Sequence, residues 1–277
     1  MRRTVVRTGV AGIITVVALG ACGVGSDQES AVNLVVSAAD EAFIAGSARI
    51  VGHETVRAKG ETARLPLDGV TDFQTGATSL KIDVAAMGLG GRGTVEARVV
   101  DHVMYLSVGD LLQGRRAPSS VRDKRWVKLD LTKFGTSSTD NSANLLQSLR
   151  GAGHVRRVGD EKIRGVETTH YRAMVDARAA VRKITDRRLR ALAKKGLALL
   201  GDSYPVNVWI DGDGRPRRMA VKFSSRGVSV DETVDYVDFG VGVFVVAPPK
   251  SETIDIADVN SDSRLGSASD SASGITN

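Results

Sequence analysis

The chain is poor in several residue types, and each shortage excludes something. One cysteine, Cys22, in 277 residues rules out an intramolecular disulfide framework and any zinc or iron–sulfur site built on several thiolates. Six prolines and 4% aromatics speak against Pro-rich linkers and aromatic stacking platforms. Four histidines are present, His53, His102, His154 and His170. None stands in an H-x-x-x-H or H-E-x-x-H arrangement, so each reads as a surface or strand histidine. No G-x-S-x-G elbow is present for a serine hydrolase. The expectation is a protein that is not an enzyme and uses no metal or cofactor.

What is present is a globular composition, 42% apolar and 25% charged. The formal charge is +6, which alone would point to nucleic acid or an anionic membrane surface. The N-terminus decides between them. Met1-Arg2-Arg3-Thr4-Val5-Val6-Arg7 precedes an apolar run from Gly9 to Leu19, then Leu19-Gly20-Ala21-Cys22. A basic start, a short apolar core and small residues before a cleavage point make a secretory signal. The run falls short of the roughly 20 residues of a spanning helix. The lone cysteine directly after Leu-Gly-Ala resembles the bacterial lipobox, in which the thiol at Cys22 takes a diacylglyceryl anchor. Arg2-Arg3 also permits twin-arginine export. The expected organisation is 1–21 lipoprotein signal peptide, 22–30 flexible tether, 31–250 one folded domain and 251–277 disordered polar tail. The place of work is the extracytoplasmic face of the cell membrane, and nucleic acid is excluded as a partner.

Residues 31–43 have helical spacing. After them the period turns to two. Thr94 to Val99 alternates, Asp101-His102 turns the chain into Val103 to Val108, and Trp126 to Leu131 alternates again. Ser47 to His53, Ser79 to Val84, Thr168 to Val175, Val206 to Ile210, Met219 to Phe223 and Val228 to Phe239 are further strands. Asp211-Gly212-Asp213-Gly214 makes a hairpin turn between two of them. Helical spacing returns over Asn141–Arg150 and Ala177–Leu200, closed by Gly151 and Gly201. Eight to eleven antiparallel strands with three helices give an α+β fold.

Two motifs fail on context. Gly88-Leu89-Gly90-Gly91-Arg92-Gly93 matches G-x-G-x-x-G, but a strand follows where a dinucleotide site needs a helix. Asp211-x-Asp213 opens like a calcium loop, but Pro216 and Lys222 stand where Gly and Glu are required. The helix from Ala177 carries many basic residues. Arg182, Lys183, Arg187, Arg190 and Lys194 are candidates for contact with anionic head groups, against the alternative of a solvated helix face.

Several phrases together resemble the LppX/LprAFG lipoproteins of actinobacteria. They are Lys124-Arg125-Trp126-Val127-Lys128-Leu129-Asp130-Leu131, Gly165-Val166-Glu167-Thr168-Thr169-His170-Tyr171, Val206-Asn207-Val208-Trp209-Ile210-Asp211, and Asp238-Phe239-Gly240 with Ala247-Pro248-Pro249. The resemblance implies a half-barrel, a curved antiparallel sheet with helices on its concave side, similar to the LolA and LolB carriers. It also implies an apolar cavity for acyl chains of membrane lipids or glycolipids, and a role in moving or presenting them in the envelope. The strand pattern agrees, since one apolar sheet face needs either a thick helical layer or a guest. The candidate cavity lining is Val95, Ala97, Met104, Leu106, Val127, Leu129, Val208, Ile210, Met219, Val221 and Phe223. The alternative function is a sensor or adaptor that binds an integral membrane partner.

Overall fold

The computed structural model describes residues 24–58, 60–83, 93–109, 124–131, 142–183, 202–225 and 227–258, with Arg187, Arg190, Ala191 and Lys194 besides. Cys22, the expected signal 1–21 and most of the glycine motif at 88–93 lie outside them.

One sheet contains twelve strands. Chain order gives β1 (Ser47–Ala58), β2 (Glu61–Asp72), β3 (Thr78–Asp83), β4 (Thr94–Val100), β5 (Val103–Ser107) and β6 (Trp126–Asp130). A second run gives β7 (Ala152–Ile163), β8 (Val166–Asp176), β9 (Ser203–Asp211), β10 (Pro216–Ser225) and β11 (Val228–Phe239), and β12 (Thr253–Asp255) comes last. Across the sheet the order is β12-β6-β5-β4-β3-β2-β1-β11-β10-β9-β8-β7. The chain thus makes two antiparallel meanders, β1 to β6 and β7 to β11, joined where β1 pairs with β11. β12 lies parallel to β6, and the sheet stays unclosed between its edges β12 and β7.

Tight turns set the hairpins. Asp101 and His102 join β4 to β5 with φ of 51° and 65°. Both central residues are left-handed, the geometry that matches the twist of antiparallel strands. Arg164 and Gly165 do the same between β7 and β8. In the β9–β10 loop the Asp211 carboxylate accepts from the Asp213 N–H at 3.0 Å and the Arg215 N–H at 2.9 Å. That carboxylate also pairs with Arg217 Nε at 2.6 Å. The expected turn is therefore held by its own first aspartate, which is not available as a calcium ligand.

The sheet is curved, and two inner-face glycines show where. A Cβ built on Gly52 of β1 would run into the Thr233 carbonyl of β11. One built on Gly69 of β2 would run into the Ser79 carbonyl of β3. Glycine inside a strand marks such a close approach and bend. Arg164, in the β7–β8 turn, reaches Asp235 on β11 at 2.7 Å, although β9 and β10 lie between those strands.

Three helices are described: α1 (Val24–Ala45), α2 (Ser142–Ser148) and α3 (Ala177–Lys183). Val35, Ala38, Ala39 and Ala42 are the fully buried side of α1, a stripe at i, i+3, i+4 and i+7. Three of the four are alanine, which lets the helix lie close on the sheet. Gly46 ends it at φ 80°, its N–H donating to the Phe43 carbonyl at 3.1 Å. Against α1 pack Leu145 and Leu146 of α2 with Leu149, and Ile50, Val155, Val175, Val206, Val208, Met219, Val234 and Tyr236 from the sheet. Phe73 closes one end, with ring centroids 6.0 Å from Tyr236 and 6.1 Å from Phe43.

The structure changes three sequence expectations and describes part of a fourth. Helix α1 begins at Val24, so the segment 24–30 expected as a flexible tether is helical. Residues 251–258, expected in the disordered tail, contribute to a 3-10 turn at Lys250–Glu252 and to the strand β12. Strands β2 and β7 were not expected. Residues Glu61 to Arg64 of β2 are all exposed, its burial alternating only from Leu65 to Gly69, and β7 buries only Val155 and Ile163. Of the long helix expected at 177–200, the structure describes Ala177–Lys183 and single helical residues beyond it.

Candidate functional site

The strand registers put all eleven candidate lining residues on the inner face, in two separate groups. In the first, one row runs across eight strands through Tyr236, Ile50, Gly69, Leu80, Ala97, Leu106, Val127 and Ile254. A parallel row holds Thr78, Val99, Met104 and Leu129. Val95 lies opposite Ile82. Val95, Ala97 and Val99 are buried, yet none belongs to the cluster packed on α1. Met104, Leu106 and Leu129 are half-buried. Val127 packs with Ile254, Val108 and Ile256.

The second group is different. Val208, Ile210, Met219 and Val221 belong to the core packed with α1. Among the described residues they pack in the interior with α1 rather than standing apart from it. Helix α1 occupies that space because its alanine stripe can approach the strands. Phe223, further along β10, is half-buried opposite Val230.

The inner face also carries charge. Glu54 of β1 stands opposite Glu232 of β11, and Glu232 is buried. Full burial, with the nearby Glu232 carboxylate adding to it, holds the Tyr236 phenol well above its usual range. Thr71 and Thr78 join their hydroxyls at 2.9 Å across β2 and β3.

On the outer face a polar network ties the second meander together. Asp235 accepts from Arg218 Nε at 2.5 Å and from Arg164 Nε at 2.7 Å. Burial by itself would raise the Asp235 carboxyl, but the hydrogen bonds and charges of Arg218 and Arg164 outweigh it and hold the group below the ordinary range. Arg218 lies 5.8 Å from the Trp209 ring, and Trp209 Nε1 donates to Glu161 at 2.7 Å. His170 stacks on Trp209 at 4.1 Å and shares a 3.0 Å hydrogen bond with Asn207. His170 is thus a structural strand histidine, as the sequence indicated. The network itself was not visible in the sequence, because its members come from five strands and one turn.

Among the basic candidates, Arg182, Arg187 and Lys194 are exposed and Arg190 is half-buried. Lys183 is the last residue of α3. Among the described residues no group of His, Cys, Asp and Glu could hold a metal. No helix there is long and apolar enough to cross a membrane.

No protein-family model matches the chain. An uncharacterised 31.2 kDa protein of Streptomyces griseus is 29% identical over 215 residues, covering 69% of this chain and 68% of the other. A Streptomyces coelicolor protein provisionally named a lipoprotein is 26% identical over 238 residues, covering 78% and 71%. Among solved structures, the Mycobacterium tuberculosis lipoprotein LppX matches with 16% identity and a TM-score of 0.46, over 79% of this chain and 99% of LppX. LprF from Mycobacterium bovis matches with 12% identity and a TM-score of 0.44, over 79% and 97%. The proteins expected from the sequence phrases are thus among those this chain resembles. The fold itself rests on this chain's own unclosed antiparallel sheet. Export and lipid anchoring at the cell envelope accord with the provisional name of the Streptomyces coelicolor relative and with the Leu19-Gly20-Ala21-Cys22 sequence.

Proposed function

We propose that this lipoprotein binds the acyl chains of a membrane lipid or glycolipid along the inner face of strands β3 to β6, and transfers or presents that lipid in the envelope. The reading is of a carrier, not an enzyme. The observation that carries it is the row Ala97, Leu106 and Val127, which presents apolar side chains outside the core packed on α1. A row of small and flexible apolar groups suits chains without fixed shape. The basic positions Arg182, Lys183, Arg187, Arg190 and Lys194 would then lie against anionic head groups, and Cys22 would keep the domain beside its membrane.

The test uses the exported chain with Cys22→Ser, purified without its anchor from an actinobacterial host. Native mass spectrometry should show a lipid adduct, and the Leu106→Trp variant should lose it while keeping its fold. Wild-type protein that carries no lipid, or an adduct indifferent to Leu106→Trp, overturns the reading.

A further inference from the structure

A polar pocket opens on the other face of the sheet, where the β1–β2 and β10–β11 hairpins lie side by side. The registers place Thr62, Arg57, Ser229 and Ser224 opposite one another in one row over β2, β1, β11 and β10. These four, with Gly60, Glu61 and Gly227, line a pocket of about 350 Å³. The face follows from alternation. Ile50 points to α1, and Arg57 stands an odd number of residues further along a strand that keeps register with β2. It therefore points outward.

The charges there are unbalanced. Arg57 has no acidic partner among the described residues, and neither does Arg64, which lies diagonally behind it across β1 and β2. Like charges at such positions are unfavourable unless something lies between them. In the adjoining row the acid Asp231 is taken by Lys222 at 3.3 Å. Glu61, the one acid of the lining, has the inner-face parity of β2. Gly60 and Gly227, at φ 83° and 79°, bring side-chain-free backbone to the rim.

We propose that this pocket is a subsite for a phosphate-class oxyanion. Arg57 and Arg64 supply the charge, and the hydroxyls of Thr62, Ser224 and Ser229 donate to its oxygens. Guanidinium forks match the geometry of phosphate oxygens, and the volume takes a phosphate bearing a small polyol. The subsite stands independently of whether the inner face holds acyl chains. The oxyanion can belong to a lipid head group or to a soluble phosphate, and the experiment separates the two.

The exported chain with Cys22→Ser is titrated with inorganic phosphate and with glycerol phosphate by calorimetry. It is also sedimented with phosphatidylcholine vesicles with and without phosphatidylglycerol. Binding in the soluble arm identifies free phosphate as the source, and binding in the vesicle arm alone identifies a head group. In either case Arg57→Gln/Arg64→Gln should weaken binding by about tenfold or more, with an unchanged melting temperature, since both side chains are exposed. Added salt should weaken it too. The proposal is overturned by no binding in either arm, or by binding that survives Arg57→Gln/Arg64→Gln. Vesicle binding lost only in Arg182→Gln/Arg187→Gln would also overturn it, since it would belong to the basic helix.

Discussion

The meander β7 to β11 turns its inner face onto α1, whereas the inner-face residues of strands β4 to β6 in the other meander lie outside that core. Both halves have the same period-two pattern of apolar residues. Val206, Val208 and Ile210 on β9 alternate as Val95, Ala97 and Val99 do on β4, and all six are buried. The pattern alone therefore does not separate a core from a lining. The helix that arrives on the face does, and α1 contacts β1, β7, β9 and β10.

Four changes would break or sharpen this comparison. The largest effect should come from Val208→Asp, which buries an unpaired charge beneath α1. A cost beyond about 5 kcal/mol should leave the chain unfolded by circular dichroism. The same substitution at Leu106, half-buried in the other meander, should leave a folded protein. Equal loss of fold in both variants would erase the distinction between the halves.

Next comes Asp235→Asn, which strips two arginines of the carboxylate that bridges β11 to the β7–β8 turn. A loss of about 3 kcal/mol in urea unfolding at neutral pH is expected. The folded carboxyl lies below its ordinary value of 3.8. Its stabilisation is therefore fully present above about pH 4 and is lost as the pH falls through the lowered folded value. The gap between variant and parent should close in acid, and a gap that stays constant with pH would refute the bridging role.

The third change is Gly69→Ala, at the bend between the halves. Its Cβ would meet the Ser79 carbonyl, and about 2 kcal/mol of destabilisation should appear as a lowered melting temperature. The smallest effect belongs to the β4–β5 turn. Asp101 and His102 hold positive φ there. Asn-Gly in their place should raise stability by about 0.5 kcal/mol, read as a modest shift in urea midpoint with no change in bound lipid.

Much of the sheet was legible in the sequence because alternation and turn chemistry are local. The Asp101-His102 and Asp211 to Gly214 turns fell where expected, with strands on both sides. Strand β7 was hidden by its exposure at the sheet edge, where only one in several residues meets the core. Strand β12 was hidden for another reason. Thr253 to Asp255 sits in a polar segment and is a strand only because β6 offers an open edge to it. The helical start at Val24 was masked by the polar Ser26 to Ser30, which read as a tether.

The lining was legible as a set of residues and illegible as a place. The sequence determined by itself which side chains share a face, since neighbours in a strand point to opposite sides. It also determined the antiparallel class. Only the tertiary structure decided that Val208, Ile210, Met219 and Val221 are core while Ala97 and Leu106 are not, because that depends on where α1 lands across strands distant in the chain. It alone brought Arg57 into a row of hydroxyls, with Arg64 diagonally behind it. Pairing of β1 with β11 joins residues 170 to 191 apart, from Ala58 with Val228 to Ala48 with Phe239, and no local pattern records such a contact.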